Sequence, residues 1–285
     1  MNILSIQSYV SYGHVGNSAA VFCFQLFGFN VWPIPTALLS NHPGHPSFQG
    51  QKFTASTIQD LILGLSDLGA LDQCDAVISG YFSDPDISEL IANIVTQIKS
   101  TNPAAVYLCD PVMGNDEKGL YVPATVPKAI ASDLLPIADI VTPNRFELEQ
   151  LTEITVATQE DTAAALHKIT KQGPMMAICT SAPTSSPGNI AVLGCLGSNT
   201  WAIDTPRLTT VANGRGDCLS AIFLAHHLSG KSLESSLSLS VSAVHDLIQM
   251  AGDEARDLPL VAGQKYVLQP SQIFMPQLFK SESYM

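Results

Sequence analysis

The sequence predicts an α/β fold with a central, mostly parallel sheet and helices on both faces. Short, continuous apolar runs, typical of strands buried on both sides, alternate along the chain with longer amphipathic runs typical of helices. Several apolar runs end in glycine or small polar residues, and in such sheets ligands bind at the carboxyl ends of the strands. Of the 285 residues, 46% are hydrophobic and 13% are charged, which indicates a well-buried globular protein.

The first half of the chain supplies alternating strands and helices. The predicted strands are 1–5, 76–81 and 105–109, and the predicted helices are 18–27, 57–68 and 84–100. Residues 31–39 are extended, and their prolines favour an edge position because proline has no N–H to give to a neighbouring strand. Residues 40–50 are rich in His, Pro, Gly and Asn, which predicts a loop.

The second half continues the alternation. The predicted strands are 140–142 and 175–180, and the predicted helices are 126–135, one that opens at 143–147, 162–172, 218–228 and 233–250. Residues 191–196 and 200–203 form a predicted antiparallel hairpin with its turn near 197–199. We find no linker, repeat or low-complexity segment, so we expect one domain over residues 1–285, with only partial order in 270–285.

The charge balance excludes several classes of partner. The net charge is −12, with 13 Lys and Arg against 25 Asp and Glu, which argues against nucleic acid and anionic membranes. No apolar run reaches membrane-spanning length, and no charged segment followed by an apolar one opens the chain. The cysteines are scattered without a CxxC pair, as expected for thiols in a reducing compartment. We therefore expect a cytoplasmic protein.

One stretch organises the functional prediction: Asn213-Gly214-Arg215-Gly216-Asp217, followed by a largely apolar helix. Gly214 and Gly216 let the backbone turn tightly and point several N–H groups in one direction. Together with the positive end of the helix dipole, these groups form a site for an anion such as phosphate. Asp217 can accept a proton from a hydroxyl at that site, or it can simply cap the helix.

The Gly-x-Gly-Asp pattern resembles the anion-hole motif of the ribokinase superfamily. Residues 6–20 (IQSYVSYGHVGNSAA) resemble the opening of the pyridoxal kinases, and residues 109–114 (CDPVMG) resemble their nucleotide-side loop. The resemblance extends from about residue 3 to residue 228. It implies a ribokinase-like three-layer sandwich and a homodimer that transfers the γ-phosphoryl group of ATP to the 5′-hydroxymethyl group of pyridoxal. Asp217 is then the general base, the amides of 214–217 form the anion hole, and Mg²⁺ is required.

Two acids are candidates for the metal side of such a site. Asp110 follows an apolar strand, where it either begins a turn or faces Mg²⁺ and phosphate. Glu147 lies three residues after Asn144, and this spacing resembles a superfamily motif whose Glu organises water and Mg²⁺ near the triphosphate. Glu147 is equally a first-turn residue that the helix dipole stabilises. Mg²⁺ takes only one or two carboxylates, so two acids suffice.

Hydroxyl groups compensate for the low number of cations. A kinase with so few cations has to hold phosphates with backbone N–H groups and Mg²⁺. Thr180 and Ser181 end a predicted strand, resemble the pair in the animal and plant enzymes, and can donate to phosphate without adding charge. Further nucleotide contacts implied by the resemblance are Thr142 and, over the base, Thr205, Pro206, Arg207 and Leu208.

The resemblance places Ser8, Pro43, Gly44 and Tyr81 beside the pyridoxal. Ser8 either contacts the pyridine ring or caps its strand, and Tyr81 either stacks on the ring or is simply half-buried. Pro43 stands where the family has Thr, so a donor is lost, since proline has neither a hydroxyl nor an N–H. This departure puts substrate affinity and vitamer choice in doubt.

Two alternatives remain open: a kinase of the same superfamily acting on hydroxymethylpyrimidine, and a non-catalytic pyridoxal-binding or reservoir protein. The opening segment disfavours the first, and Asp217 disfavours the second, because a pure binder needs no base. His14, His42 and His45 lack metal-ligand spacing and are loop or pocket residues. For His226 and His227 we expect a structural role, because the nearby chain offers no other ligand.

Overall fold

A ten-stranded sheet forms the centre of the computed structural model, which describes residues 1–210, 212–253 and 255–279. The strands are β1 (Asn2–Val10), β2 (Asn30–Leu39), β3 (Gly50–Lys52), β4 (Ala76–Ser79), β5 (Val106–Cys109), β6 (Gly114–Asn115), β7 (Gly119–Leu120), β8 (Ile140–Val141), β9 (Met176–Ala182), β10 (Asn189–Leu196), β11 (Asn199–Pro206) and β12 (Gln277–Phe279). The sheet order is β12-β11-β10-β9-β8-β5-β4-β1-β2-β3, and β6 pairs with β7 in a separate hairpin. The six strands from β2 to β9 in this order pair in parallel, and the outer strands are antiparallel.

Helices cover both faces of this sheet, as predicted. They are α1 (Asn17–Leu26), α2 (Ala55–Asp67), α3 (Asp86–Thr101), α4 (Thr125–Ala129), α5 (Arg145–Thr152), α6 (Gln159–Thr170), α7 (Arg215–Leu228), α8 (Leu233–Ala251) and α9 (Gln264–Leu268). Alternate strand residues enter two separate cores, as the pleat requires. Tyr107 and Cys109 pack with the core of α2 to α6, whereas Leu108 packs with that of α1, α7 and α8.

The first strand runs beyond its predicted end, because its polar residues find partners inside the sheet. Gln7 is buried and its Nε2 donates to Ser5 Oγ over 3.0 Å. The register between β1 and β2 shifts between Gln7 and Tyr9, so Ser8 lies at an irregularity rather than at a strand end. The edge prediction for residues 31–39 holds only in part: β3 is the edge strand and pairs with Ala37–Leu39, so only the portion of β2 that contains the two prolines lies at the edge.

The predicted helix over 126–135 is wrong in form. It is divided into α4, a π-helical turn over Ile130–Leu134 and a 3₁₀ turn over Leu135–Ile137. Pro136, just beyond the predicted helix, has no N–H to give to the carbonyl of Ser132, so α-helical hydrogen bonding cannot continue into the 3₁₀ turn. Sequence analysis also missed β3, the β6–β7 hairpin, α9 and β12. Part of the tail is therefore ordered as a strand, and residues 280–285 of that prediction lie outside the described residues.

Within the three described ranges, none of the helices has the length and apolar character needed to cross a membrane.

His226 has the structural role expected of it. It is 4% exposed on α7, and its ring lies edge-on to Phe27 at 4.8 Å between centroids. Neither ring nitrogen has a hydrogen-bond partner among the described residues. Burial, and then the charge of Lys231, lowers the pKa of His226 from 6.5 to about 4.

This burial predicts a loss of stability in mild acid. Between pH 6.5 and pH 4 the unfolded chain binds a proton at His226 that the folded chain does not. The free energy of unfolding therefore falls by up to about 1.4 kcal/mol per pH unit as the pH decreases through this window. In His226→Leu this contribution should disappear, so urea unfolding of variant and parent should diverge at pH 5 but not at pH 7.5. If the free energies of unfolding of variant and parent had the same pH dependence, His226 would not be the source of this loss.

Candidate active site

The carboxyl ends of the parallel strands bring the predicted acids to one edge of the sheet. Cys109 of β5 pairs in register with Val141 of β8, so the next residues, Asp110 and Thr142, lie side by side. Asp110 N–H donates to Ser79 O at the end of β4, over 2.9 Å. Asp110 and Thr142 are both buried, at 6% and 2% exposure. The strand alternation therefore places a carboxyl and a hydroxyl together beneath the start of α7.

The turn before α7 depends on one glycine rather than two. Gly214 is the N-cap in the left-handed region, with φ of 86°, and a Cβ there would lie 2.0 Å from His14 O. Only glycine fits such a position. Gly216, in contrast, lies in the first helical turn without a positive φ, and a Cβ there would meet nothing within 4 Å. The prediction that Gly216 permits the turn is wrong, and its side opens onto free space instead.

Asp217 lies in the first turn of α7, three residues after the N-cap. Gly214 has no side chain, so no side-chain cap closes the start of α7, and the first helical hydrogen bond runs from Cys218 N–H to Gly214 O. The Asp217 side chain is half-buried. Burial raises its pKa, while the backbone N–H groups of Gly16 and of Asp217 itself lower it. The carboxylate of Asp217, with its raised pKa, therefore lies beside the backbone N–H groups of the first turn of α7, which have no partner within the helix.

Asp110 is held by a buried hydroxyl from α7. Ser220 Oγ donates to Asp110 Oδ2 over 2.9 Å, and Thr142 Oγ1 lies 2.9 Å from the same Ser220 Oγ. Burial, then the charges of Glu147 and Asp217, raises the pKa of Asp110 well above its usual range, whereas the Ser220 bond lowers it. Three acidic side chains therefore share one buried region.

Glu147 is bound on both sides by backbone amides. Its Oε2 accepts from Asn144 N–H over 2.8 Å, and Asn144 Oδ1 accepts from Glu147 N–H over 2.9 Å, which is a capping box. Its Oε1 accepts from Met113 N–H over 3.0 Å. Burial nevertheless raises the pKa of Glu147 to about 8. The helix-capping interpretation of Glu147 is thus present in the structure, and the carboxylate also fixes the loop after Asp110.

The carboxylates of this site fit a magnesium ion that takes most of its ligands from water and substrate phosphates. None of the three carboxylates forms an ion pair with Lys, Arg or His in the described part of the chain. The same residues contain no group of three or more His, Cys, Asp or Glu that could enclose a metal. Mg²⁺ usually keeps several waters and binds through one or two carboxylates and substrate phosphates. Asp110 and Glu147 match that requirement.

The predicted nucleotide contacts lie in two places. Thr180 N–H donates to Pro143 O over 3.0 Å, and Ser181 Oγ accepts from Arg145 N–H over 3.2 Å. Thr205 and Pro206 belong to β11, where the Thr205 hydroxyl is directed to Ile190 O, with Arg207 and Leu208 just beyond the strand. Arg207 is exposed, as is Arg215 at the first position of α7.

Of the predicted substrate-side residues, Ser8 lies near the end of β1 and Tyr81 lies two residues beyond the end of β4. A Cβ on Gly16 would lie 2.7 Å from Ser8 Oγ, so the chain passes close to that hydroxyl. Tyr81 is half-buried, and Lys52 Nζ lies 5.9 Å from the centre of its ring. Whether Tyr81 also faces a ligand stays a prediction.

The loop that carries Pro43 and Gly44 is hydrogen-bonded to Arg256 and Asp257, more than 200 residues later in the chain. Arg256 Nη1 donates to Gly44 O over 2.9 Å, and His45 Nε2 lies 2.8 Å from Asp257 Oδ2. Asn213 Nδ2 in turn donates to Arg256 O over 2.7 Å. The loop is thereby tied to the residue just before the Gly214 turn, while Pro43 itself is exposed.

Sequence analysis missed Ser220, the Arg256–Asp257 pair and Tyr121. Tyr121 is 43% exposed, and partial burial, then the charges of Glu147, Asp110 and Asp217, raises the pKa of its phenol. Tyr121 follows the β6–β7 hairpin, in which Gly119 has φ of 67°. Two glycines that flank the polar residues 115–118 were the available signal for this hairpin.

Comparisons with known proteins show the family and the fold of this chain. The model of the phosphomethylpyrimidine kinase family matches residues 65–257. The pyridoxal kinase PdxY of Rubrobacter xylanophilus is 39% identical over 95% of this chain and 94% of its own length. The one of Deinococcus radiodurans is 40% identical over 96% of this chain and 95% of its own length. A solved pyridoxal kinase from Leishmania donovani, in complex with ADP and pyridoxamine, has a TM-score of 0.93 at 28% identity, covering 98% of this chain and 99% of that chain.

The loop attachment predicts a measurable change in backbone protection. Arg256→Ala removes the donor to Gly44 O, so amides of residues 44–49 should exchange with deuterium about 3- to 10-fold faster, since one hydrogen bond of modest net strength is lost. Lys231→Ala, which removes one positive charge at an exposed site, serves as the control. Unchanged exchange in the Arg256 variant would show that this bond does not hold the loop.

Proposed function

We propose that this chain, which belongs to the pyridoxal kinase family, transfers the γ-phosphoryl group of ATP to the 5′-hydroxymethyl group of pyridoxal and forms pyridoxal 5′-phosphate. The observation that carries this proposal is the half-buried Asp217 on the first turn of α7, beside amides at the open end of that helix. Relatives of 39% and 40% identity are named pyridoxal kinases, and a solved relative holds ADP and pyridoxamine.

Asp217 is the general base in this proposal. The proton of the substrate hydroxyl passes to its carboxylate, the hydroxyl oxygen bonds to the γ-phosphorus, and ADP leaves. Burial raises the pKa of Asp217, which brings it closer to neutral pH and makes the carboxylate a better proton acceptor.

The N–H groups of Gly214 to Asp217 stabilise the negative charge that develops on the transferred group. The open space beside Gly216 leaves room for a ligand to approach this turn closely. Arg215, the first residue of α7, adds positive charge at the same turn. In a chain with only 13 Lys and Arg, it offsets part of the phosphate charge.

Asp110 and Glu147 would hold Mg²⁺, which when bound neutralises charge on the phosphate oxygens. Both Glu147 oxygens already accept backbone N–H groups, so we assign it an indirect role through water and charge. Asp110 has a free oxygen and is the direct ligand of the pair. The hydroxyls of Thr142, Thr180 and Ser181 complete the ATP side, and residues 205–208 cover the base.

The pyridoxal side consists of Ser8, Tyr81 and the loop with Pro43 and Gly44. Pro43 lacks the hydroxyl that the family's Thr carries. The bonds from Arg256 and Asp257 to this loop support a role in which its backbone and shape, rather than a side-chain donor, enclose the substrate.

A second function has one specific observation in its favour, since the matching family model is described as phosphomethylpyrimidine kinase. A coupled assay with pyridoxal, pyridoxine, pyridoxamine and hydroxymethylpyrimidine, each with Mg-ATP, separates the two. Preference for pyridoxal supports the proposal, and preference for hydroxymethylpyrimidine overturns it. Binding of pyridoxal without turnover would identify a reservoir protein instead.

The wider setting follows from the family resemblance. We propose that residues 1–285 act as one cytoplasmic kinase domain that assembles as a homodimer. Light scattering on the purified protein tests the assembly, with twice the mass of 30.4 kDa expected.

Replacing the base gives the main kinetic prediction. Asp217→Asn removes proton acceptance but keeps the shape, so kcat should fall about 10²- to 10⁴-fold. The dissociation constant for ADP should change little. Asp72→Asn, at an exposed site in another part of the chain, is the control. More than about half of the parental rate would show that Asp217 has no role as a base.

A further inference from the structure

Ser220 joins the two sides of the site through one hydroxyl. It lies on α7 three residues after Asp217, is fully buried, and contacts both Asp110 Oδ2 and Thr142 Oγ1 at 2.9 Å. These partners are 110 and 78 residues away in sequence and stand at the ends of β5 and β8. One side chain thus connects the helix that carries the proposed base to the strand ends that carry the proposed metal side.

The protons of this group have only one arrangement when Asp110 is ionised. A serine hydroxyl has one proton and two acceptor lone pairs. Ser220 donates that proton to Asp110, so Thr142 must donate its own proton to Ser220. The chain of donors runs from Thr142 through Ser220 to the carboxylate. Asp110 Oδ2 is then occupied by the hydrogen bond from Ser220, and Oδ1 is the oxygen that can bind a ligand.

We propose that Ser220 is a positioning residue, which fixes the orientation of the Asp110 carboxylate and couples it to the helix that carries Asp217. This inference rests on the proposed roles of Asp110 and Asp217. A carboxylate at the end of a strand can rotate about its side-chain bonds, whereas a buried donor selects one orientation. Groups that orient a metal ligand commonly contribute about 10- to 100-fold to metal affinity or activity.

A role in packing alone predicts a different result. Any buried Ser→Ala change on a helix alters packing and thermal stability slightly. Ser236 provides the matched case, since it is fully buried on α8 and its hydroxyl has no hydrogen-bond partner among the described residues. Ser236→Ala therefore measures the effect of the substitution itself without the link to Asp110.

Calorimetric titration of ADP, with and without MgCl₂, tests the inference without measuring catalysis. In Ser220→Ala, ADP affinity with Mg²⁺ should fall roughly 10-fold or more, and affinity without Mg²⁺ should change less than about 2-fold. Ser236→Ala should match the parent in both titrations. Ser220→Cys keeps the shape with a weaker donor and should shift in the same direction, so it replaces the alanine variant should that one not fold.

Asp110→Asn separates this inference from the proposed function. If Ser220 acts through Asp110, adding Ser220→Ala to Asp110→Asn should cause no further loss of the Mg²⁺-dependent affinity. If Asp110→Asn lost the Mg²⁺-dependent affinity but Ser220→Ala and Ser220→Cys kept it, the role of Ser220 would be overturned and that of Asp110 would stand. An unchanged Mg²⁺ dependence in Asp110→Asn would overturn the metal role of Asp110, and the role of Ser220 with it.

Discussion

The mutual repulsion of three acidic side chains is the constraint on which this site depends. Asp110, Glu147 and Asp217 share a region in which burial raises the pKa of each. Within the described ranges, none of them has a cationic side chain as a partner. Ionising all three acids therefore costs folding free energy, since buried charges without partners are unfavourable. The cost is consistent with a site that binds a cation and a phosphate anion together, because the cation offsets the acids and the helix amides receive the anion.

The fold keeps these acids in place by distributing them over different elements. Asp110 comes from the end of β5, Glu147 from the capping box of α5, and Asp217 from the first turn of α7. Register across the sheet aligns Asp110 with Thr142, and Ser220 then bonds to both. Because each acid is also fixed by neutral donors, repulsion cannot be relieved by rotating the side chains away. This preorganisation is the feature that electrostatic catalysis requires.

Local signals explain which parts of the site the sequence could predict. Asp110 and Asp217 stand next to a strand end and a glycine turn, both of which are encoded within a few residues. Ser220 and Arg256 gave no such signal, because their partners lie 110 and 212 residues away and meet them only through tertiary packing. At residues 126–135 the apolar spacing predicted one helix, whereas Pro136 at its end lacks the N–H that would continue α-helical hydrogen bonding.

The central claim is that ionising these acids is unfavourable in the protein without ligands, and thermal unfolding of Asp110→Asn tests it most directly. Burial raises the folded-state pKa of Asp110, so the folded protein holds a proton that the unfolded chain has released, and stability is lost as the pH rises above the ordinary value of 3.8. In Asp110→Asn that loss is absent. We predict that the ligand-free variant unfolds at a higher temperature than the parent at pH 8, and that the difference shrinks toward pH 4.5. A variant that is less stable than the parent at both pH values would contradict the account.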